Sequence, residues 1–171
     1  IHNSGLVRAV RQADGTFVTS NLTTTPGAPA TCKILMPSAT SAWGIVVHSG
    51  GVFAPGLVDM FDIGTTHPVA GITNVSDAVA SSSAIFVEGT DSVGNGSIVR
   101  VDMPSMAATT ILPAGAFSVT AISVSKTGEL SFAGLRNADG ARIIGNVPAG
   151  SDTYTIVSAA APMVTALQRI N

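Results

Sequence analysis

Charged residues are scarce in this 171-residue chain: only 11% of its residues are charged, and only 5% are aromatic. An average domain has about 25% charged residues. The formal net charge is −2, so no basic stretch indicates binding to nucleic acid or to anionic lipid. We therefore expect no nucleic-acid partner.

Cysteine and histidine are also too sparse to indicate a metal site. Cys32 is the only cysteine, so no internal disulfide can form. His2, His48 and His67 have no second donor two or four positions away, whereas zinc needs three or four converging ligands. We expect no metal and no cofactor. A Gly-x-Ser-x-Gly nucleophile motif is missing too, so we assign no catalytic residue and disfavour an enzyme.

Helical periodicity is almost absent, although the mean hydropathy is high at +0.46. The uncharged run 103–125 is long enough to cross a bilayer, but Pro104, Pro113 and Gly115 interrupt it. This run therefore predicts strands and turns, and we expect no membrane span. Elsewhere, short apolar runs rich in Val, Ile and Thr end at Gly, Pro, Asn, Asp or Ser, which is typical of strands and hairpins. The composition and punctuation together predict an all-β domain.

A repeated phrase organises these strands. Residues 11–22 and 136–147 are similar, and weaker copies pass through Gly56 and Gly96. The glycines of the four copies, Gly15, Gly56, Gly96 and Gly140, are separated by 41, 40 and 44 residues. A period of this length with strand character indicates a repeat architecture. The predicted single domain has repeats at 1–37 completed by 160–171, 38–72, 73–115 and 116–159.

Each repeat predicts four strands. In the last repeat they are 119–124, 130–135, 142–147 and 154–157, and in the preceding one 75–80, 84–89, 97–102 and 109–112. The repeat before that predicts strands at 44–49, 57–62 and near Val69, with a weakly marked first strand at 38–42. We interpret Asp14 and Asp139 as turn residues that hydrogen-bond their own backbone. The segment 91–97 is a turn rather than a calcium loop, because it lacks alternating acidic ligands.

The two ends of the chain complement each other. The chain opens at what we predict to be a second strand, 5–10, and residues 164–167 match 119–122 at a distance of 45 residues. The C-terminus would thus supply the first strand that the N-terminal repeat lacks. This plan resembles a β-propeller, in which four-stranded blades ring a channel. The resemblance implies a small four-bladed propeller or a piece of a larger one, and a β-sandwich or capsid-like shell stays as the alternative.

The propeller resemblance also implies where a ligand would bind. Innermost strands line the channel and the loops between blades form a rim, which makes Asp77, Thr120 and Thr165 channel candidates and His67 and Trp43 rim candidates. A carboxylate among hydroxyls suits a cation or a hydroxyl-rich ligand, or simply channel water. A one-residue slip in register would turn Asp77 to the other face. For Trp43, core packing is the simpler interpretation.

The function that we predict is a non-enzymatic binding or scaffold module of a secreted or cell-surface protein. Its partner would be a protein or a glycan, or the remaining blades of a longer precursor. Two alternatives stay open: a fragment of a larger β-propeller enzyme, and a structural subunit of a virion or fibre. An extracellular or cell-surface location follows only from the sparse charge and the Ser-, Thr- and Gly-rich strands.

Overall fold

The fold, obtained as a computed structural model, is described for residues 7–21, 29–38, 41–48, 56–59, 66–159 and 167. These residues form strands and turns without any helix. The fourteen strands are β1 (Val7–Arg11), β2 (Phe17–Asn21), β3 (Pro29–Ser38), β4 (Ser41–His48), β5 (Gly56–Asp59), β6 (Thr66–Pro68), β7 (Asn74–Ala80), β8 (Ala84–Thr90), β9 (Gly96–Asp102), β10 (Ala108–Leu112), β11 (Phe117–Val124), β12 (Leu130–Arg136), β13 (Arg142–Val147) and β14 (Thr155–Ser158).

The strands form four antiparallel sheets. Sheet 1 is the β1–β2 hairpin, sheet 2 contains β3 to β6, sheet 3 contains β7 to β10 and sheet 4 contains β11 to β14. In sheets 2, 3 and 4 each strand pairs with the next one in the chain. The all-β prediction and its repeated antiparallel sheets are therefore confirmed. The division of the chain into four repeats stays a prediction.

Most predicted strands of sheets 3 and 4 are confirmed, with ends that differ by one or two residues. The first strand of sheet 2 was predicted wrongly at 38–42, because it runs from Pro29 to Ser38 and residue 41 already begins β4. Strand β3 contains Pro37 near its end, where the pairing with β4 is irregular. Proline lacks the N–H of a regular ladder, so an irregular position tolerates it. The predicted pairing of 164–167 with 5–10 lies outside the described residues.

Two apolar clusters join the three larger sheets. One lies between sheets 2 and 3, and the other lies between sheets 3 and 4. Strand β8 belongs to both: Ile85 and Val87 face the first cluster, whereas Ala84 and Phe86 face the second. Successive side chains of a strand point to opposite faces, so a strand packed on both sides has apolar residues at consecutive positions, as residues 84–87 do here. Sheet 3 is therefore the middle layer.

The first strands of the three larger sheets are neighbours. Strand β7 contacts both β3 and β11. In a β-propeller the first strand of each sheet would be innermost, and in this structure those first strands lie side by side. The described residues do not show a closed ring.

The same aspartate turn joins β1 to β2 in sheet 1 and the second strand to the third in sheets 3 and 4. Asp14 Oδ1 accepts a hydrogen bond from the Thr16 N–H at 2.9 Å, and Asp139 Oδ1 accepts one from the Ala141 N–H at 3.1 Å. The glycines that follow these aspartates have φ of 85° and 69°, a conformation that glycine adopts without steric cost. The predicted turn role of both aspartates is confirmed.

The turn at 91–95 uses its aspartate in the same way. Asp91 Oδ1 accepts hydrogen bonds from the N–H groups of Val93 and Asn95 at 2.9 and 2.8 Å. The bond from Asn95 is the main reason why the pKa of Asp91 lies below its ordinary value. The carboxylate thus stabilises a turn, as the sequence predicted.

Candidate functional site

A β-bulge on each of two neighbouring strands, β7 and β11, sets the geometry of the candidate site. The pairing of β7 with β8 shifts between Val75 and Asp77, so Ser76 is the extra residue. The pairing of β11 with β12 shifts between Val119 and Ala121, so Thr120 is the extra residue. Bulges re-aim side chains and are often found beside functional sites. By this register Ser76 corresponds to Thr120, and Asp77 corresponds to Ala121.

Two carboxyl groups face each other at the bulge of sheet 3. Asp77 on β7 is directly opposite Glu88 on β8, and side chains at opposite positions of an antiparallel pair share one face. Glu88 is buried, with only 7% of its surface exposed, whereas Asp77 is half-buried. Asp77 Oδ1 accepts a hydrogen bond from the Ala78 N–H at 2.8 Å. The bulge thus brings a hydroxyl and two carboxyl groups together.

Burial dominates the electrostatics of this group. It raises the pKa of Glu88 to about 7, the negative charge of Asp77 also raises it, and a hydrogen bond with Ser76 opposes the rise. A buried carboxylate is costly because the protein interior solvates charge poorly. Glu88 can therefore bind or release a proton near neutral pH, which an exposed glutamate cannot do.

Glu88 lies on the face of sheet 3 that meets sheet 4. Ala84 and Phe86, at alternate positions of the same strand, belong to the cluster between these two sheets. Ile98, opposite Glu88 on β9, is fully buried in the same cluster. Glu88 thus lies in line with apolar side chains on this face, and its exposure is low because sheet 4 packs over that face.

A shallow cavity lies where β3, β7 and β11 meet. Its volume is about 290 Å³, near the lower limit for small-molecule sites. It is lined by Leu35, Met36, Ala78, Val79, Ala80, Ser123 and Val124. Ser123 contributes a hydroxyl and the other lining side chains are apolar, but the accessible wall of the cavity is about as polar as it is apolar. The cavity therefore does not select for an apolar ligand.

The predicted site residues fall into two places. Asp77 lies on β7 and Thr120 on β11, but the Thr120 hydroxyl donates to the Ala133 carbonyl at 3.2 Å within its own sheet. Trp43 and His67 pack together in sheet 2, with ring centroids 5.8 Å apart in an edge-on arrangement. Thr165 lies outside the described residues.

Trp43 is a core residue, in keeping with the simpler of its two interpretations. Only 7% of its surface is exposed, and its Nε1 donates to Ser41 Oγ at 3.2 Å. A buried ring has no free face on which a sugar or base could stack. Its contact with the half-buried His67 therefore belongs to the packing of sheet 2.

Arg100 is a buried cation on β9 of sheet 3. It binds partners in sheet 3 and in the turn that follows β13 of sheet 4. Its Nε lies 2.8 Å from Asp102 Oδ1, and its Nη2 lies 2.7 Å from Asp152 Oδ1. Its Nη1 also donates to the Ser151 carbonyl at 2.7 Å. Ser151 and Asp152 follow β13, so Arg100 ties sheet 3 to sheet 4. These contacts give it a structural role.

Glu88 was missed as a site residue by sequence reasoning. The one signal was a single charged residue inside the apolar run 84–89. Within the described ranges, no three His, Cys, Asp or Glu side chains are arranged to hold a metal ion. In the same part of the chain, no helix is long and apolar enough to cross a membrane.

No family model matches this chain, and no curated protein matches its sequence.

Proposed function

We propose that the chain is a non-enzymatic binding or scaffold module of a secreted or cell-surface protein, built from blades of the β-propeller type. Three successive four-stranded meanders packed face to face support this proposal, as does the adjacency of their first strands. In such an architecture ligands bind near the innermost strands, and here Asp77 and the lining of the shallow cavity lie on the corresponding strands, β3, β7 and β11.

The observation that carries the binding role is the position of Glu88 beside Asp77. The Glu88 carboxyl group is buried and has a pKa of about 7, so the protein stabilises its negative charge poorly. A cation, or a ligand whose hydroxyl groups donate hydrogen bonds, would stabilise the ionised form. The ligand class that fits is a cation or a hydroxyl-rich molecule such as a glycan.

Calorimetric titration with a panel of mono- and divalent cations and short glycans tests this proposal. We expect one member to bind the parent chain, and we expect Asp77→Ala or Glu88→Gln to weaken that binding at least ~10-fold, equivalent to the loss of one charge-assisted contact. Asp139→Asn is the matched control, because it removes an exposed turn carboxylate elsewhere on sheet 4. Binding that survives both site variants, or a panel without any binder, would refute the site.

The affinity for a cation should also increase as the pH rises through 7. The cation competes with the proton on Glu88, and that competition ends once the carboxyl is ionised. Glu88→Gln should abolish this pH dependence. A cation that binds equally well at pH 6 and pH 8 must contact another group.

A further inference from the structure

Asn95 is the only asparagine of the sequence that is followed by glycine, and its side chain is exposed. It ends the turn 91–95, and Gly96 begins β9. Asparagine is among the less durable residues of proteins, because the backbone nitrogen of the next residue can attack its side-chain amide and close a five-membered ring. Glycine obstructs this attack least, since it has no Cβ. The pair 95–96 therefore has the composition of a self-modifying site.

The structure requires glycine at position 96. A Cβ there would lie only 2.7 Å from the carbonyl oxygen of Phe117, which is closer than van der Waals contact allows. The Gly96 carbonyl also accepts a hydrogen bond from the Gly115 N–H at 3.1 Å. Gly115 belongs to the connection between sheets 3 and 4, residues 113–116. The residue that makes Asn95 reactive is thus fixed by the packing of this connection.

Two other turns contain an Asp–Gly pair, at 14–15 and 139–140. Such a pair closes the same ring only from an uncharged carboxyl group. The hydrogen bond from Arg136 lowers the pKa of Asp139 to about 2, so this carboxyl is ionised near neutral pH. The glycine nitrogens of both pairs are also engaged, because they donate to backbone carbonyls of their own turns at 3.0 and 2.8 Å. These two pairs are therefore protected.

The turn that contains Asn95 engages different atoms. The Asp91 N–H donates to the Asn95 carbonyl at 3.0 Å, and the Asn95 N–H donates to Asp91 Oδ1 at 2.8 Å. In an antiparallel pair, the residue next to such a bonded pair directs its N–H away from the partner strand. The Gly96 nitrogen is therefore not held by β8. The amide of Asn95 is uncharged, so it stays open to nucleophilic attack at neutral pH.

We propose that Asn95 is a site of spontaneous deamidation. The Gly96 nitrogen loses its proton to hydroxide and bonds to Asn95 Cγ. The bond between Cγ and Nδ2 breaks, and Nδ2 leaves as ammonia after taking a proton from water. A second water then opens the succinimide ring at either carbonyl, which gives aspartate or isoaspartate. Water is the only co-reactant, and the hydroxide is regenerated.

Both products would weaken the turn. Asn95 Nδ2 donates to Asp91 Oδ2 at 3.1 Å, so a carboxylate in its place replaces a hydrogen bond by repulsion between like charges. Isoaspartate also lengthens the backbone before Gly96 by one carbon, which would move the Gly96 carbonyl away from the Gly115 N–H. The net charge becomes one unit more negative than the present −2, so ion exchange separates the modified chain.

Peptide mapping by mass spectrometry, on the folded chain stored in mildly alkaline buffer, tests the proposal. Asn95 should be the first asparagine to lose its amide, and the loss should accelerate as the pH rises, because hydroxide removes the Gly96 proton. Asn95→Gln should remove this early product, since the longer side chain would have to close a six-membered ring. Asn74→Gln is the matched control, because Asn74 is an exposed asparagine of the same sheet that is followed by valine.

The structural consequence has its own test by urea unfolding. Asn95→Asp should lower the urea concentration at the midpoint, and combining it with Asp91→Asn should restore part of the loss, because the exchange returns a donor and an acceptor to the turn. An Asn95 amide that lasts as long as that of Asn74 overturns the proposal. So does an early product that persists in Asn95→Gln, or a loss of the Asn95 amide that occurs only in the urea-unfolded chain.

Discussion

Glu88 and Asp77 occupy directly opposed positions on β8 and β7, so that two carboxyl groups share one face of sheet 3 beside the hydroxyl of Ser76. This arrangement opposes stability, because Glu88 is buried and the negative charge of Asp77 also disfavours the ionisation of Glu88. A chain this poor in charge places few charged groups in its interior, and the pair is therefore the clearest polar feature within its apolar layers.

The stability of the protein should decrease as the pH rises from about 4.5 to about 7. The folded-state pKa of Glu88 is raised from 4.5 to about 7, so the stability that protonation provides is complete below 4.5 and is lost through the folded pKa. We expect a loss on the order of 2 kcal/mol after allowance for solvent screening. Urea unfolding at several pH values measures it.

Glu88→Gln is the control for this pH dependence and should unfold with nearly the same free energy at both ends of the window. Asp139 changes stability with pH in the opposite direction, because the hydrogen bond from Arg136 lowers the pKa of Asp139 from the ordinary 3.8 to about 2. Its contribution is lost only at lower pH, outside the window of Glu88. A parent chain whose stability rises between pH 4.5 and 7 would contradict the burial of an uncompensated Glu88.

Arg100→Met should destabilise the contact between sheets 3 and 4. The substitution keeps the apolar stem and removes the bonds to Asp152 and to the Ser151 carbonyl. Both aspartate partners are partly exposed, so water can solvate them, and we expect a loss of about 1–3 kcal/mol rather than the larger cost of stranding a buried charge.

Thermal or urea unfolding gives this value, with Arg136→Met as the matched control. Arg136 pairs with Asp139 in an exposed turn at 2.6 Å, and exposed pairs contribute little to stability. If the two arginine variants lose the same stability, the intersheet role of Arg100 is wrong.

Gly145→Ala should destabilise sheet 4 by steric overlap. A Cβ at this position would overlap the ring of Phe132, the opposite residue on β12. Overpacking of a fixed core typically costs about 1–3 kcal/mol. Unfolding of Gly145→Ala, Phe132→Leu and the double variant measures the coupling.

The double variant should lose less than the sum of the two single variants, because the smaller leucine leaves room for the new methyl group. Additive losses would mean that the ring of Phe132 does not lie over Gly145.

The strands of sheets 3 and 4 were predictable because two local signals coincide there. Alternating or continuous apolar runs mark the strands, and turns with Gly94, Gly128 or Gly140 at positive φ separate them. Strand β3 broke this rule, since the first strand of sheet 2 was only weakly marked in the sequence and was predicted at 38–42, whereas β3 carries two prolines, Pro29 and Pro37. They lie at the start of the strand and at its irregular end, where no regular ladder bond is needed.

The carboxyl pair could be predicted only in part. Asp77 was selected from the repeat, but the bulge aligns Ser76 rather than Asp77 with Thr120. A bulge adds one residue without changing the apolar pattern, so neither periodicity nor spacing reveals it. The burial of Glu88 depends on the packing of sheet 4 against β8, which is a long-range contact that no local pattern encodes.

Titration of the Glu88 side-chain carboxyl by ¹³C NMR, in the parent chain and in Asp77→Asn, tests the candidate site most directly. We predict that Glu88 titrates near pH 7 in the parent, as its burial requires, and at a lower pH in Asp77→Asn, where the neighbouring charge is gone. A Glu88 that titrates near 4.5 in both proteins, like an exposed glutamate, would contradict the site on which the proposed function rests.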